Sequence, residues 1–298
     1  MPGENIVVIG ASAGGVEALK TLAAKLPNDL PAAIFVVLHV GNYPSTLPEI
    51  LSSVSRLPAV HPTHGQHIES GMIYIAPSDH HMLLSQPGRI DLVHGPKENR
   101  TRPAINPLFR SAAATYGNRV TGVILTGMLD DGVAGLAEIK ARGGMAVVQD
   151  PKTAVYPSMP ASAIQSVPVD YILPVEEIPG ILSRLSNNSS APQTETTMEE
   201  RNSDLTCPEC RGPLREFRIA NVQEYRCRVG HAYSMLALER DQHDTVERKL
   251  WEAVIALEEA AEIADQLSLR FEGNYKKQAN HRREQASILK DILHDVKT

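Results

Sequence analysis

Two groups of residues in this 298-residue chain have the types and spacing that chemistry needs. The first centres on Ser12, in Gly10-Ala11-Ser12-Ala13-Gly14, directly after the apolar run Ile6-Val7-Val8-Ile9. This is a G-x-S-x-G pattern, whose small residues permit a tight strand-to-helix turn that exposes the hydroxyl. A serine hydroxyl is a poor nucleophile until a base takes its proton, so the pattern needs a histidine and an orienting carboxylate nearby. His39 follows the apolar run Ile34 to Leu38, and Asp130-Asp131 follow the run that ends at Leu125. In a parallel sheet, strands of this kind end along one edge, and three strand ends would converge on one crevice.

The same turn also suits a dinucleotide pyrophosphate held at a helix N-terminus. Two details weigh against that. Ser12 stands where the middle glycine should be, and the second strand ends in His39 instead of an acid for a ribose. Singly, a histidine after a strand and an aspartate before a helix have ordinary structural explanations. Together with the serine turn they favour a Ser-His-Asp triad. Its chain order, Ser then His then Asp, is not the Ser, Asp, His order of α/β-hydrolases.

The second group is Cys207, Cys210, Cys227 and His231, spaced C-x2-C-x16-C-x3-H. Two ligand pairs of this kind fit tetrahedral zinc with no open position, hence a structural site. The chain has no other cysteine, and an odd number of cysteines makes a poor disulfide framework. His61, His64 and His67 are also three apart, but Pro62 and Gly65 argue for a turn, and they read as surface residues. His80 and His81 at most line the site.

The elements that must position these groups follow from hydrophobic patterning. Ile6 to Ile9, Ile34 to Leu38, Met72 to Ala76, Val123 to Leu125 and Ala146 to Val148 read as buried strands. Val16 to Leu26, Pro107 to Tyr116 and Val133 to Ala141 read as helices. Strand and helix in alternation imply an α/β fold with a doubly wound, mostly parallel sheet. Leu83-Leu84 and Ile90 to Val93 flank Pro87-Gly88, which suggests a β-hairpin attached to that sheet.

Residues 186–206 have little to bury and read as a disordered linker. Charge density shifts across it, from 28 charged side chains in residues 1–185 to 36 in the remaining 113. The chain therefore divides into a catalytic domain (1–185), the linker, a zinc-ribbon-like module (207–233) and an amphipathic helical hairpin (234–298) broken at Gly273-Asn274. A net charge of -6 argues against a nucleic-acid partner. The N-terminus lacks a basic lead and the apolar runs are short, so neither a signal peptide nor a spanning helix is expected, and the location is expected to be cytoplasmic.

The first 185 residues resemble the catalytic domain of CheB-type protein-glutamate methylesterases of bacterial chemotaxis. The similarity lies in Ile9-Gly10-Ala11-Ser12-Ala13-Gly14-Gly15, Leu38-His39, Tyr74-Ile75-Ala76-Pro77 with Asp79 and His81-Met82, Asn99-Arg100-Thr101-Arg102-Pro103, and Leu125-Thr126-Gly127-Met128 through Asp131-Gly132. The resemblance implies Ser12 as nucleophile, His39 as general base and Asp131, the aspartate followed by glycine, as orienting acid. It implies hydrolysis of γ-glutamyl methyl esters on chemoreceptor cytoplasmic helices or another methylated protein, with glutamine deamidation as a second activity. Backbone N–H groups at Ala13 and Met128 are the expected oxyanion donors. No catalytic cofactor is expected.

Leu129 and Asp130 depart from the glycine and asparagine common in the family, and Val40-Gly41 departs from the residues that usually follow the histidine. The family commonly carries a receiver before the esterase, whereas this chain starts at the esterase's first strand, so regulation is expected from elsewhere. Some stand-alone members carry zinc-ribbon extensions, which agrees with the cysteine spacing. Ribbon and hairpin together read as a unit for partner recognition or self-association. A nucleotide-binding enzyme and a non-catalytic signalling scaffold are the alternatives.

Overall fold

The computed structural model describes residues 5–39, 45–187 and 198–296. The departure at Val40-Gly41 and residues 188–197 of the expected linker lie outside these described residues.

In order, the chain forms β1 (Asn5–Ala11), α1 (Gly15–Ala24), β2 (Ala32–Leu38), α2 (Leu47–Val54), β3 (Ala59–Val60), β4 (Ile73–Ile75), β5 (His81–Gln86), β6 (Arg89–Val93) and α3 (Ile105–Tyr116). There follow β7 (Val120–Ile124), α4 (Val133–Ala141), β8 (Met145–Gln149), α5 (Ser158–Ser166), β9 (Tyr171–Leu173) and α6 (Ile178–Asn187). One seven-stranded sheet has the order β3-β4-β2-β1-β7-β8-β9, and every pair in it is parallel.

A parallel sheet needs cover on both faces, which is why its central strands are apolar at successive positions instead of alternating. Ile6, Val8 and Phe35 pack beneath Phe109 of α3, Leu136 of α4 and Met159 of α5. On the opposite face, Val7, Ile9 and Val36 meet Leu19 and Leu22 of α1, Leu51 of α2 and Leu182 of α6. Strand order reverses at β1, with β2 on one side and β7 on the other. The carboxyl ends of β1, β2 and β7 therefore border the crevice at the switch point.

Three expectations need correction. Strands β5 and β6 pair antiparallel as the expected hairpin, but it is a separate two-stranded sheet with no strand pairing to the main one. The hairpin is anchored by side chains: the Leu84 N–H donates to Ser111 Oγ, and Thr115 Oγ1 donates to the Leu84 carbonyl. The expected disordered linker also shrinks from both ends. Helix α6 runs to Asn187, and residues 199–206 form β10 (Glu199–Thr206). This strand lies at the edge of a sheet with β11 (Pro213–Ile219), β12 (Val222–Cys227) and β13 (Ala232–Ser234). It is held by antiparallel pairing to β11 and by an Arg215–Glu200 ion pair; being polar on both sides, it has no apolar alternation to mark it.

The third correction concerns the ribbon, which is not a separate body. Residues Met1–Leu238 make one compact unit and Glu239–Thr298 a second. Ile219 and Val222 of the ribbon join the core that covers α3 and α4. Arg110 of α3 pairs with both Glu98 and Glu224, and Arg226 lies 3.8 Å from Glu138. Burial pushes the Glu98 carboxyl up to about 7; Arg110 pulls against this and Glu224 adds to it.

Helices α7 (Met235–Ser268) and α8 (Tyr275–Val296) give the second unit its substance. They share an apolar seam of Val254, Ala286 and Leu293, flanked by Leu250, Leu257 and Leu289. Ion pairs Lys290–Glu258 and Arg283–Asp265 run alongside, while Trp251, Ile255 and Ile263 stay exposed. None of the described helices is long and apolar enough to cross a membrane.

Candidate active site

Ser12 is the first residue beyond β1. Gly14, at φ 73°, takes a left-handed conformation that costs other residues strain, so α1 can begin at Gly15 within one turn of the serine. A Cβ on Gly15 would lie 2.6 Å from Leu38 Cδ1, so the helix can approach β2 this closely only with glycine there. The Ser12 N–H donates to the Thr126 carbonyl at 3.0 Å, and the Ser12 carbonyl accepts from the Gly15 N–H at 2.8 Å. These two N–H groups are therefore committed within the protein.

His39 continues the β1–β2 ladder by one step, its N–H donating to the Ala11 carbonyl. This places the imidazole beside Ser12. Nδ1 lies 3.1 Å from Ser12 Oγ, and Nε2 lies 2.8 Å from Asp131 Oδ2. An ionised carboxylate can only accept, so the proton between His39 and Asp131 sits on Nε2 and Nδ1 presents its lone pair to the serine hydroxyl. The structure thus brings Ser12, His39 and Asp131 together in one line of contacts.

Asp131 is 3% exposed and is held from every side. Oδ2 also accepts from the Ile105 N–H at 2.6 Å, and Oδ1 accepts from Asn99 Nδ2 at 3.0 Å. Burial acts to raise its pKa, but the bond and charge of His39, then the Ile105 and Asn99 bonds, outweigh it and hold the carboxyl below its ordinary value. Asp130 behaves differently: burial raises its pKa and the neighbouring Asp131 adds to that, while a bond from Ser234 Oγ at 2.6 Å opposes them. It takes no part in the contacts of His39.

Ala13 and Met128 flank the mouth of the site. Among the described residues their N–H groups have no protein acceptor, whereas Gly127 N–H is committed to the Tyr156 carbonyl at 3.0 Å. Thr126 Oγ1 accepts from the Tyr156 N–H and lies 3.1 Å from the Ala13 carbonyl, tying the three segments around the serine together. Met128, Val155 and Tyr156 form an exposed apolar rim.

His81 does not line the site. It is 3% exposed, with Nε2 donating to the Pro96 carbonyl and Nδ1 accepting from the Ala104 N–H. Burial lowers its pKa, so it is a neutral packing residue. His61, half-buried, has its ring nitrogens 2.9 and 3.1 Å from the Ile75 and Ser45 carbonyls, so it is less a surface residue than its turn suggests.

Sequence patterning passed over three residues that matter here: Asn99, Ile105 and Thr101, whose Oγ1 lies 3.5 Å from His39 Nε2. Asn99 and Thr101 belong to the Asn99-Arg100-Thr101-Arg102-Pro103 segment, and that segment was the signal available.

In the ribbon, the ligand atoms of Cys207, Cys210, Cys227 and His231 all lie within 4.8 Å of one another. The Cys210–Cys227 Sγ separation is 3.6 Å, and His231 Nδ1 is 3.7 and 3.5 Å from Cys207 and Cys227 Sγ. Zn–S and Zn–N bonds of about 2.3 and 2.0–2.1 Å at tetrahedral angles demand separations of about 3.8 and 3.6 Å. The donor set therefore fits zinc in both chemistry and spacing.

Comparison with known proteins agrees with this architecture. A family model described as CheB methylesterase matches residues 7–182. A Leptospira interrogans relative is 39% identical over 184 residues, covering 61% of this chain and 95% of the relative. A protein-glutamate methylesterase/protein-glutamine glutaminase of Anaeromyxobacter dehalogenans is 42% identical over 182 residues, and the match spans 53% of its length. The crystal structure of the Thermotoga maritima CheB methylesterase catalytic domain matches with a TM-score of 0.59 and 37% identity, over 61% of this chain and 99% of that domain. With residues 7–182 matched and this parallel sheet shared, the chain belongs to the CheB methylesterase family.

Proposed function

We propose that this chain is a serine hydrolase that removes methyl esters from glutamate side chains on the cytoplasmic helices of chemoreceptors, and that deamidates glutamine by the same route. The observation that carries the reading is the imidazole of His39, in contact with Ser12 through one nitrogen and with Asp131 through the other.

In this mechanism Ser12 Oγ attacks the ester carbonyl as its proton passes to His39 Nδ1, and Asp131 holds the resulting imidazolium through Nε2. The Ala13 and Met128 N–H groups receive the oxyanion. Collapse of the tetrahedral intermediate expels methoxide, which takes the Nδ1 proton and leaves as methanol. A water then gives its proton to Nδ1 and attacks the acyl-enzyme, releasing glutamate and regenerating Ser12. With a glutamine side chain the leaving group is ammonia. The apolar rim of Met128, Val155 and Tyr156 suits the aliphatic faces of a helical protein substrate. The test is methanol release from a methylated receptor cytoplasmic domain. Stoichiometric methanol with a new glutamate carboxylate is expected, and no methanol above the rate of buffer would sink the reading.

Gly127 supports the serine from below. A Cβ there would sit 2.9 Å from Ser12 Cβ and 2.8 Å from Met159 Sδ. Gly127→Ala is expected to displace the nucleophile and lower kcat by up to ~10²-fold, the cost of roughly 1 Å of misplacement. Steady-state kinetics on the folded variant checks this, and an unchanged kcat counts against the placement of Ser12.

The ribbon is, on the same footing, a structural zinc site of Cys207, Cys210, Cys227 and His231. Its own core is only Cys207, Leu214, Tyr225, Cys227, Tyr233, Ala237 and Leu238, so metal binding supplies much of its folding free energy. Elemental analysis of purified protein is expected to give one zinc per chain, and Cys207→Ser to abolish it. Metal-free native protein with an intact ribbon would overturn the assignment.

A further inference from the structure

We propose that the zinc ribbon acts as a strap on the catalytic acid: β13 fixes Asn99, Asn99 fixes Asp131, and the state of the ribbon thereby sets turnover. The inference rests on the hydrolase reading for the role of Asp131 and on the zinc assignment for the ribbon.

Asn99 is 6% exposed and each end of its carboxamide is committed. Nδ2 donates to Asp131 Oδ1 at 3.0 Å, and Oδ1 accepts from the Ser234 N–H at 2.8 Å. Its backbone N–H donates to the Ala232 carbonyl, also at 2.8 Å. Two of these three bonds come from β13. They act on a segment with an intrinsic cost, since Asn99 and Arg100 both sit at positive φ, 46° and 68°. The Ser234 N–H also decides which way the carboxamide faces: with Oδ1 occupied by that donor, Nδ2 must point at Asp131. Asn99 is thus a positioning residue that acts on His39 through Asp131.

Strand β13 begins one residue after the ligand His231, and its partner β12 ends in the ligand Cys227. The turn between them is closed by the Cys227 N–H donating to the His231 carbonyl and the Gly230 N–H donating to the Cys227 carbonyl. Metal at this turn sets the register of β12 against β13, Arg226 opposite Ala232 and Glu224 opposite Ser234. The strap is fastened to the catalytic unit at two further points, Ser234 Oγ to Asp130 and Glu224 to Arg110. From zinc to nucleophile the contacts run His231, β13, Asn99, Asp131, His39 and Ser12.

The test compares full-length zinc-loaded protein with the same protein stripped of zinc, and with His231→Ala, Asn99→Ala and Ser234→Pro. Ser234→Pro removes the N–H that holds Asn99 while leaving all four metal ligands. Three quantities are measured: the rate at which a fluorophosphonate labels Ser12, kcat and KM for ester hydrolysis, and the low-field proton resonance of His39 Nε2. Stripping, and each variant, is expected to slow labelling and lower kcat by about 10- to 100-fold with KM unchanged, and to shift or broaden the His39 resonance. Zinc is expected to restore the stripped native protein but neither Asn99→Ala nor Ser234→Pro.

A stripped protein that labels at the zinc-loaded rate with its His39 resonance in place overturns the strap. So does a Ser234→Pro protein that retains zinc and labels at the native rate, and this variant decides the matter if stripping collapses the whole chain. Failure of the zinc-loaded native protein to label at Ser12 is a different result. It removes the hydrolase reading, and the His39 resonance with and without zinc then decides the strap.

Discussion

Ser12→Ala is expected to lower kcat for methyl-ester hydrolysis by up to ~10⁶-fold, and adding His39→Ala to cost almost nothing more. In the proposed mechanism Ser12 and His39 act as one unit. His39 Nδ1 stands 3.1 Å from Ser12 Oγ and has no other described partner, so without the hydroxyl it has nothing to deprotonate. Without the imidazole the hydroxyl keeps its proton. What survives in either variant is the pair of oxyanion donors at Ala13 and Met128 and the binding surface, which together leave a residual rate above that of water. Single and double variants in a kinetic cycle check the claim. Additive losses, with the double variant several powers of ten below either single one, would show that the two residues serve separate steps.

Asp131→Asn is expected to lower kcat by about 10⁴-fold with little change in KM. The carboxylate accepts three hydrogen bonds, from His39 and Ile105 on Oδ2 and from Asn99 on Oδ1. A carboxamide must turn its NH₂ toward one of these sides. Facing Asn99, it meets another donor that cannot rotate away, because the opposite end of that carboxamide is held by the Ser234 N–H. Facing His39, it meets the Ile105 N–H and forces the imidazole to carry its proton on Nδ1, toward Ser12. That tautomer cannot accept the serine proton. Rates as a function of pH on the purified variant test this, and near-native activity at neutral pH would show that Asp131 does not govern the tautomer.

The proximity of Ser12, His39 and Asp131 was legible in the sequence because these residues sit on the most regular part of the fold. Strands β1, β2 and β7 are apolar runs buried on both faces, and a parallel sheet with its order reversed at β1 leaves Ser12, His39 and Asp131 at neighbouring carboxyl ends. The choice of Asp131 over Asp130 came from the family resemblance, whose motif has an aspartate followed by glycine, here Asp131-Gly132. Helices α2, α5 and α6 and the short strands β3 and β9 went unassigned.

The support of Asp131 was hidden for another reason. Asn99 lies in a loop without a repeat, and its partner Ser234 is 135 residues away, a separation that no local pattern spans. The ribbon read as detached because its attachment is chiefly polar. Hydrogen bonds from β13 and the shared guanidinium of Arg110 leave no trace in hydropathy, and the masking polarity of β10 made residues 199–206 look like linker.

The distances along the chain between these contacts also bear on how the protein comes into being. Ser12 meets His39 across 27 residues, His39 meets Asp131 across 92, and Asn99 waits for Ser234 across 135. Pairings this remote, on a wholly parallel sheet, close late and slowly compared with a helical bundle. A nascent chain emerging from the ribosome therefore carries Ser12 before His39 and Asp131 have been made. The bond from Asn99 to Ser234 can form only after residue 234 has been made, later than Ser12, His39 and Asp131.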